Sequence, residues 1–113
     1  MSNKDANSNS YMSGEYMNLE LTGIHLDITD DLKDYINKKL HRLKFANSYI
    51  IDLHIRFIKE KHGHKLEATI NFRWGSSAHV HVDAFDMYEG SDKLFDKIES
   101  KIKKEKDKVQ QHY

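Results

Sequence analysis

The carboxy-terminal part of the chain carries a row of lysines suited to binding a polyanion. Lys93, Lys97, Lys101, Lys104 and Lys108 follow one another at spacings of 4, 4, 3 and 4 residues. In a helix, at roughly 100° per residue, these five positions fall within an arc of about 80°, and we call them the lysine stripe. Like-charged neighbours at these spacings each cost an isolated helix about 0.2–0.5 kcal/mol. A sequence that keeps five lysines at these spacings despite this cost favours an anionic partner.

Acidic and apolar residues occupy other sides of the same segment. An apolar seam must face a core, and its members are Leu94, Phe95, Ile98, Ile102 and Val109. The carboxylates gather away from the lysines, at Glu89, Asp92, Asp96 and Glu99. Among the lysines of the stripe, only Lys93, with Glu89, and Lys101, with Glu105, belong to well-placed i,i+4 pairs. A solvated helix face is the plain alternative, but it leaves most of the stripe uncompensated.

An earlier segment repeats this pattern. Tyr35, Lys38, Lys39 and Arg42 share one flank of a predicted helix whose apolar positions are Leu32, Ile36, Leu40 and Leu43. On parallel helices, one basic flank would edge the groove between them and the other would lie outside. Lysine is a point charge without a planar fork, so the expected ligand is a phosphate backbone and not a base sequence.

Other residue types offer weaker possibilities. His54, His79, His81 and Asp83 could hold a metal, but only if separate strands align them, and polar residues on an exposed sheet face are the favoured interpretation. Arg73 and Trp74 could stack on a base, although a tryptophan at an apolar-facing position is more typical of a core or sheet edge.

The composition narrows the class of protein. The chain has 113 residues, the length of one domain, and a formal net charge of zero, so any attraction for a polyanion must come from charge segregation. It has no cysteine, no Gly-rich phosphate loop and no Gly-x-Ser-x-Gly motif. No apolar run approaches a membrane span of about 20 residues. We therefore expect a cytoplasmic monomer with neither enzymatic activity nor a cofactor.

Two parts are distinguished along the chain. Residues 1–16 are rich in Ser and Asn and are predicted to be a disordered leader, so that Met12 or Met17 could equally be the start. Residues 17–112 are predicted to form the functional domain.

Hydrophobic periodicity gives this domain the order β-α-β-β-β-α. A short strand comes first, and Thr29 then caps a helix. Apolar and polar residues alternate between 51 and 84, with turns at 62–64 and 75–77, and Asp86 caps the last helix. The expected fold is α+β, a four-stranded mixed sheet with two parallel helices on its apolar face and a polar face open to water.

Residues 17 to about 112 resemble the family of short ribosome hibernation promoting factors, also called ribosome-associated inhibitors or sigma-54 modulation proteins. The likeness depends on a set of motifs in order: Leu21-Thr22-Gly23, Ile28-Thr29, Leu32-Lys33, Lys39, Arg42-Leu43, Asp86-Met87-Tyr88, Asp92, Leu94, Lys104, Lys106, Asp107 and Lys108. The chain departs from the family pattern at Gly90, Ser91, Ser100 and Glu105, which thins the positive surface.

The resemblance implies a fold similar to double-stranded RNA binding domains and binding to the small ribosomal subunit, in the channel used by mRNA and tRNA. It implies inhibition of translation under stress or in stationary phase, with a separate dimerising factor as a possible partner. The rRNA contacts that it implies are Lys33, Lys39, Arg42, Lys104, Lys106 and Lys108, to which helical phasing adds Lys38, Lys93, Lys97 and Lys101. Two alternatives stay open: a general double-stranded RNA binding module and a metal-dependent enzyme built on the histidines.

Overall fold

The computed structural model describes residues 7–13 and 17–110. The described strands form one sheet in the spatial order β1-β2-β3-β4-β5. They are β1 Asn7–Ser13, β2 Asn18–Ile24, β3 Ile50–Glu60, β4 Gly63–Phe72 and β5 Ser77–Ala84. Between β2 and β3 lie helix α1, Asp30–Lys39, and a 3₁₀ segment, Leu40–Ala46; helix α2, Met87–Gln110, follows β5.

The pairing of β2 to β5 is the predicted one. Strands β2 and β3 are parallel, with Leu21 opposite Ile55, while β3–β4 and β4–β5 are antiparallel. The crossover through α1 makes the parallel pair possible, and the tight turn before Gly63, whose φ is +128°, closes the β3–β4 hairpin. The predicted β-α-β-β-β-α order is therefore confirmed.

Strand β1 is the element that the sequence did not predict. It pairs antiparallel with β2, with Asn7 opposite Ile24 and Ser13 opposite Asn18. Pairing through the main chain needs no apolar periodicity, and the outer N–H and C=O groups of β2 would otherwise form an open sheet edge. The prediction of a disordered leader over 1–16 thus differs from the structure at Asn7–Ser13, and residues 1–6 and 14–16 lie outside the described part.

One face of the sheet forms the core. Buried side chains alternate with half-buried polar ones along β3, where Leu53, Ile55 and Phe57 are fully buried while His54 and Arg56 are not. The two helices cover the buried face with apolar residues that are themselves completely enclosed: Leu32, Ile36, Leu94, Phe95, Ile98 and Ile102. The opposite face carries the polar side chains, as predicted.

Capping side chains set where the helices begin. Thr29 Oγ1 accepts a hydrogen bond from Leu32 N at 3.2 Å, and Asp86 Oδ2 accepts one from Glu89 N at 3.1 Å, so both predicted caps are confirmed. Gly90 lets the first turn of α2 approach the sheet closely: a β-carbon there would lie 2.9 Å from Leu66 Cδ1.

Contacts between the helices show their relative direction. Tyr35 of α1 contacts Asp92 of α2. Seven residues further along each segment, Arg42 contacts Glu99. The positions rise together along both segments, so the helices run in the same direction, as predicted.

Candidate nucleic-acid interface

Helix α2 presents three different sides to its surroundings. Its apolar seam is buried against the sheet from Leu94 to Ile102, while Val109 is half-buried. The carboxylate flank faces α1 and the 3₁₀ segment, and the lysine stripe faces the side of β5, where Lys97 Nζ donates to the carbonyl oxygen of His81 at 3.1 Å. The predicted separation of acids from lysines is therefore present in three dimensions.

Asp92 anchors the start of the contact between the helices. Its Oδ1 lies 2.7 Å from Lys39 Nζ and accepts a hydrogen bond of 2.7 Å from the Tyr35 hydroxyl. The Lys39 ammonium and then the Tyr35 hydroxyl hold the pKa of Asp92 below its ordinary value. The same hydrogen bond raises the pKa of Tyr35, because ionising that hydroxyl would place a second negative charge beside Asp92.

Arg42 continues this contact one turn further. Its Nη2 lies 2.7 Å from Asp96 Oδ1 and 2.9 Å from Glu99 Oε1. Hydrogen bonds to Glu99 and then to Asp96 raise the pKa of Arg42 above its ordinary value. Two predicted rRNA contacts, Lys39 and Arg42, are thus already paired with carboxylates of α2.

The other two predicted contacts of the first helix lie outside this cluster. Lys38 is exposed, and within residues 17–110 it takes part in no ion pair. Lys33 is half-buried, with its Nζ 3.7 Å from Asp30 Oδ1. The first basic flank is therefore only partly available to an external anion.

Three lysines of the stripe have acidic neighbours on their own helix. Lys93 Nζ lies 3.6 Å from Glu89 Oε2, while Lys101 and Lys108 both approach Glu105 Oε2, at 3.7 and 3.2 Å. Both pairs expected from i,i+4 spacing are confirmed. Glu105, a departure from the family pattern, is largely buried and compensates two lysines at once.

Lys97 and Lys104 are the uncompensated members of the stripe. Both are exposed, and neither makes an ion pair within the described ranges. They line a groove of about 350 Å³ between α2 and β5, together with Val80, Asp96, Ser100 and Lys101. Of the three lysines that line this groove, Lys97 and Lys104 thus carry ammonium groups that are not already paired with carboxylates, whereas Lys101 pairs with Glu105.

Lys106 does not belong with the stripe. At roughly 100° per residue it lies about 200° round the helix from Lys104, and its Nζ sits 5.2 Å from the centroid of the Tyr49 ring. The Nζ of Lys103, which is not among the predicted contacts, lies similarly 5.6 Å from the Phe45 centroid. The missed signal was a second row facing the first helix, at spacings of 4, 3, 4 and 3: Asp92, Asp96, Glu99, Lys103 and Lys106.

The predicted histidine and tryptophan candidates are engaged in local contacts. His54 Nε2 and His79 Nδ1 lie 2.8 and 3.1 Å from the hydroxyls of Thr22 and Thr69. The described residues contain no group of three His, Asp or Glu side chains placed to bind a metal. Trp74 is half-buried, stacks on Phe72 and donates from Nε1 to Ser76 Oγ at 2.9 Å. Among the described helices, none is long and apolar enough to span a membrane.

Comparisons with curated proteins give consistent relatives. The chain is 31% identical over 96 residues to the ribosome hibernation promoting factor of Escherichia coli K12, covering 85% of this chain and 100% of that protein. It is 32% identical over 94 residues to the protein of the same name from Pseudomonas putida KT2440, covering 83% of this chain and 91% of the relative.

Solved structures agree with the sequence relatives. A ribosomal subunit interface protein from Coxiella burnetii superimposes with a TM-score of 0.70 at 29% identity, over 80% of this chain and 96% of that one. The amino-terminal domain of Thermus thermophilus Protein Y gives 0.65 at 26% identity, over 79% and 94%. The sequence model of the sigma 54 modulation protein / S30EA ribosomal protein family matches residues 19–110. This chain belongs to that family.

Proposed function

We propose that this protein is a ribosome hibernation factor of the cytoplasm that binds rRNA of the small ribosomal subunit and silences translation under stress or in stationary phase. It acts by occupancy and not by catalysis. The domain lodges in the channel used by mRNA and tRNA and so excludes both ligands.

The observation that carries this proposal is the groove between α2 and β5 with Lys97 and Lys104 at its edge. Their ammonium groups are exposed and lack carboxylate partners in the described structure, whereas Asp96 and Glu99 pair with Arg42, and Glu89 and Glu105 pair with the other lysines of the stripe. A neutral chain thereby presents a locally cationic surface. Relatives named ribosome hibernation promoting factors and a ribosomal subunit interface protein support the ribosome as the source of the RNA.

Charge reversal at the groove tests the proposal. In the double variant Lys97→Glu/Lys104→Glu, we expect co-sedimentation with small ribosomal subunits to be abolished, because two attractive phosphate contacts become repulsive. The circular dichroism spectrum should not change, since both side chains are exposed. The matched control is Lys59→Glu/Lys61→Glu, which reverses two exposed lysines at the β3–β4 turn and should bind normally. Normal binding by the groove variant would remove this surface from the mechanism.

Competition separates this proposal from a general double-stranded RNA binding module. Such modules read the shape of an A-form helix with little regard to sequence. A hibernation factor should prefer small subunits strongly over arbitrary duplex RNA in a direct competition. Equal competition by both would favour the general module instead.

Pairing of ribosomes is a further part of the proposal. Sucrose-gradient profiles of starved cells, with and without the gene for this chain, would show whether a ribosome-dimer peak depends on it. Adding a separate dimerising factor to purified ribosomes would then test whether that partner is needed.

A further inference from the structure

The contact between α2 and the preceding helical segment changes character halfway along. Up to Arg42 it consists of carboxylates facing basic groups. Beyond Arg42 it consists of lysines facing aromatic rings, with Lys103 Nζ 5.6 Å from the Phe45 centroid and Lys106 Nζ 5.2 Å from the Tyr49 centroid. This end of the molecule is cationic and aromatic at the same time.

Tyr49 is held by contacts with the β4–β5 hairpin. The Tyr49 and Trp74 centroids are 6.0 Å apart, and Trp74 stacks on Phe72 at 4.7 Å with only 6° between the ring planes. The carbonyl oxygen of Tyr49 accepts a hydrogen bond of 2.8 Å from Arg73 N, which fixes the hairpin to this segment. Tyr49 and Trp74 are therefore preorganised, and 42% of the nearby Phe45, beneath Lys103, remains exposed.

We propose that this cluster is a second RNA contact, at which an unpaired nucleotide base stacks on Phe45 while Lys103 and Lys106 hold the adjacent phosphates. We call Phe45, Tyr49 and Trp74 with these two lysines the aromatic platform. The site rests on the proposed function for the source of its RNA, and it adds base stacking to the phosphate contacts of the lysine stripe.

Charge and polarity select the nucleotide as occupant. Neither Lys103 nor Lys106 forms an ion pair within the part of the chain that the structure describes. A purely apolar partner would bury both ammonium groups without compensation, which costs free energy. A nucleotide supplies a π-face for the ring and an anion for the lysines, the combination that single-strand binding surfaces use.

The two RNA contacts are geometrically distinct. Lys103 and Lys106 lie about 100° and 200° round α2 from Lys104, at roughly 100° per residue. Phosphate binding at the stripe and base stacking at the platform can therefore be removed one at a time.

Trp74 gives a signal from within the platform, because it is the only tryptophan in the chain and its ring lies 6.0 Å from that of Tyr49, beneath Lys106. The probe is a single-stranded adenosine hexanucleotide, compared with a hexanucleotide of the same phosphate number that lacks bases. We expect the first to quench Trp74 fluorescence, and the second to bind more weakly without quenching. Equal affinity and equal quenching by both would overturn the stacking proposal. Equal competition by an acidic peptide would do so as well.

Substitution of Phe45 is the decisive experiment. Phe45→Ala should weaken hexanucleotide and small-subunit binding by about 5- to 150-fold, the cost of one stacked base. The dependence of log K on log[salt] should keep its slope, because no charge is removed. Lys103→Gln should instead lower the magnitude of that slope by about one. Phe45→Trp keeps a ring and should restore binding, which separates stacking from any loss of folding.

Phe85→Ala is the matched control, since Phe85 is 79% exposed. It lies in the short connection that leads from β5 into the start of α2, whereas the platform lies near the end of α2. Equal binding by Phe45→Ala and Phe85→Ala would overturn the platform. In that case, loss of small-subunit binding by Lys97→Glu/Lys104→Glu would mean that the proposed function stands without the platform. If the wild-type protein bound the hexanucleotide through Phe45 but did not bind small subunits, the platform would stand and the proposed function would fail.

Discussion

The two charged flanks of α2, one of carboxylates and one of lysines, are in different electrostatic states. On the flank toward α1, Asp92 and Asp96 meet Lys39 and Arg42 at 2.7 Å, so the charges cancel across the helix pair. On the flank toward β5, Lys97 and Lys104 have no such partners among the described residues. A cationic side chain on a helix therefore indicates an anion site only after the neighbouring helix has been considered.

This difference divides the ten predicted RNA contacts by role. Lys39 and Arg42 join the two helices, and an RNA phosphate could engage them only by competing with carboxylates already in place. At Lys97 and Lys104 a phosphate would not have to displace a carboxylate of the described residues. We infer that the stripe supplies most of the phosphate attraction and that the basic flank of α1 mainly supports the structure that holds α2.

The largest effect is expected on the salt dependence of binding to small subunits, where Lys104→Gln is compared with Lys39→Gln. Loss of Lys104 should lower the magnitude of the salt slope by about one, because one phosphate contact disappears. Loss of Lys39 should change the slope by clearly less, since its ammonium group already neutralises Asp92. Filter binding or sedimentation at several salt concentrations gives both slopes. Equal slope changes would show that the ion pair opens on RNA binding, and the contrast between the flanks would fail.

A smaller effect is expected on the free energy of unfolding. Here the residue paired with carboxylates should matter, and the unpaired lysine should not. Arg42→Gln leaves Asp96 and Glu99 without their common partner and should lower the free energy of unfolding by up to about 1 kcal/mol, the range for partly exposed ion pairs. Lys38→Gln is the control, because Lys38 is exposed and unpaired within residues 17–110. Urea denaturation would measure both variants. A loss for Lys38→Gln as large as that for Arg42→Gln would contradict the structural role of the pair.

The fold was accessible from the sequence because local signals agreed with one another. Alternation along residues 51–84 gave three strands, and Thr29 and Asp86 marked both helix starts. Strand β1 escaped prediction because its pairing with β2 uses the main chain and leaves no apolar periodicity in the Ser- and Asn-rich segment.

The site was predictable only within a single helix. The i,i+4 rule gave the pairs of Lys93 and Lys101, and helical phasing placed the stripe on one side. Pairing across helices was not accessible, because the distance of Arg42 from Glu99 depends on how α1 and α2 are set against each other by the core. For the same reason Lys103 and Phe45, 58 positions apart in the chain, could not be joined from periodicity alone.

The smallest expected effect is the acid dependence of the contact at Asp92. Its pKa is lowered in the folded protein, so its contribution to stability is complete above the ordinary value of about 3.9 and is lost as the pH falls through the lower folded value. The side chain is half-exposed, which keeps the effect below about 1 kcal/mol. Asp92→Asn should therefore be less stable than wild type at pH 6, and the gap should close below pH 4. Asp34→Asn, which removes an exposed carboxylate of the same helix pair, keeps the contact at Asp92 and is the control for loss of a carboxylate as such. A gap of constant size from pH 6 to pH 3 in urea denaturation would mean that Asp92 acts through packing, and that the carboxylate flank is not held to α1 by charge.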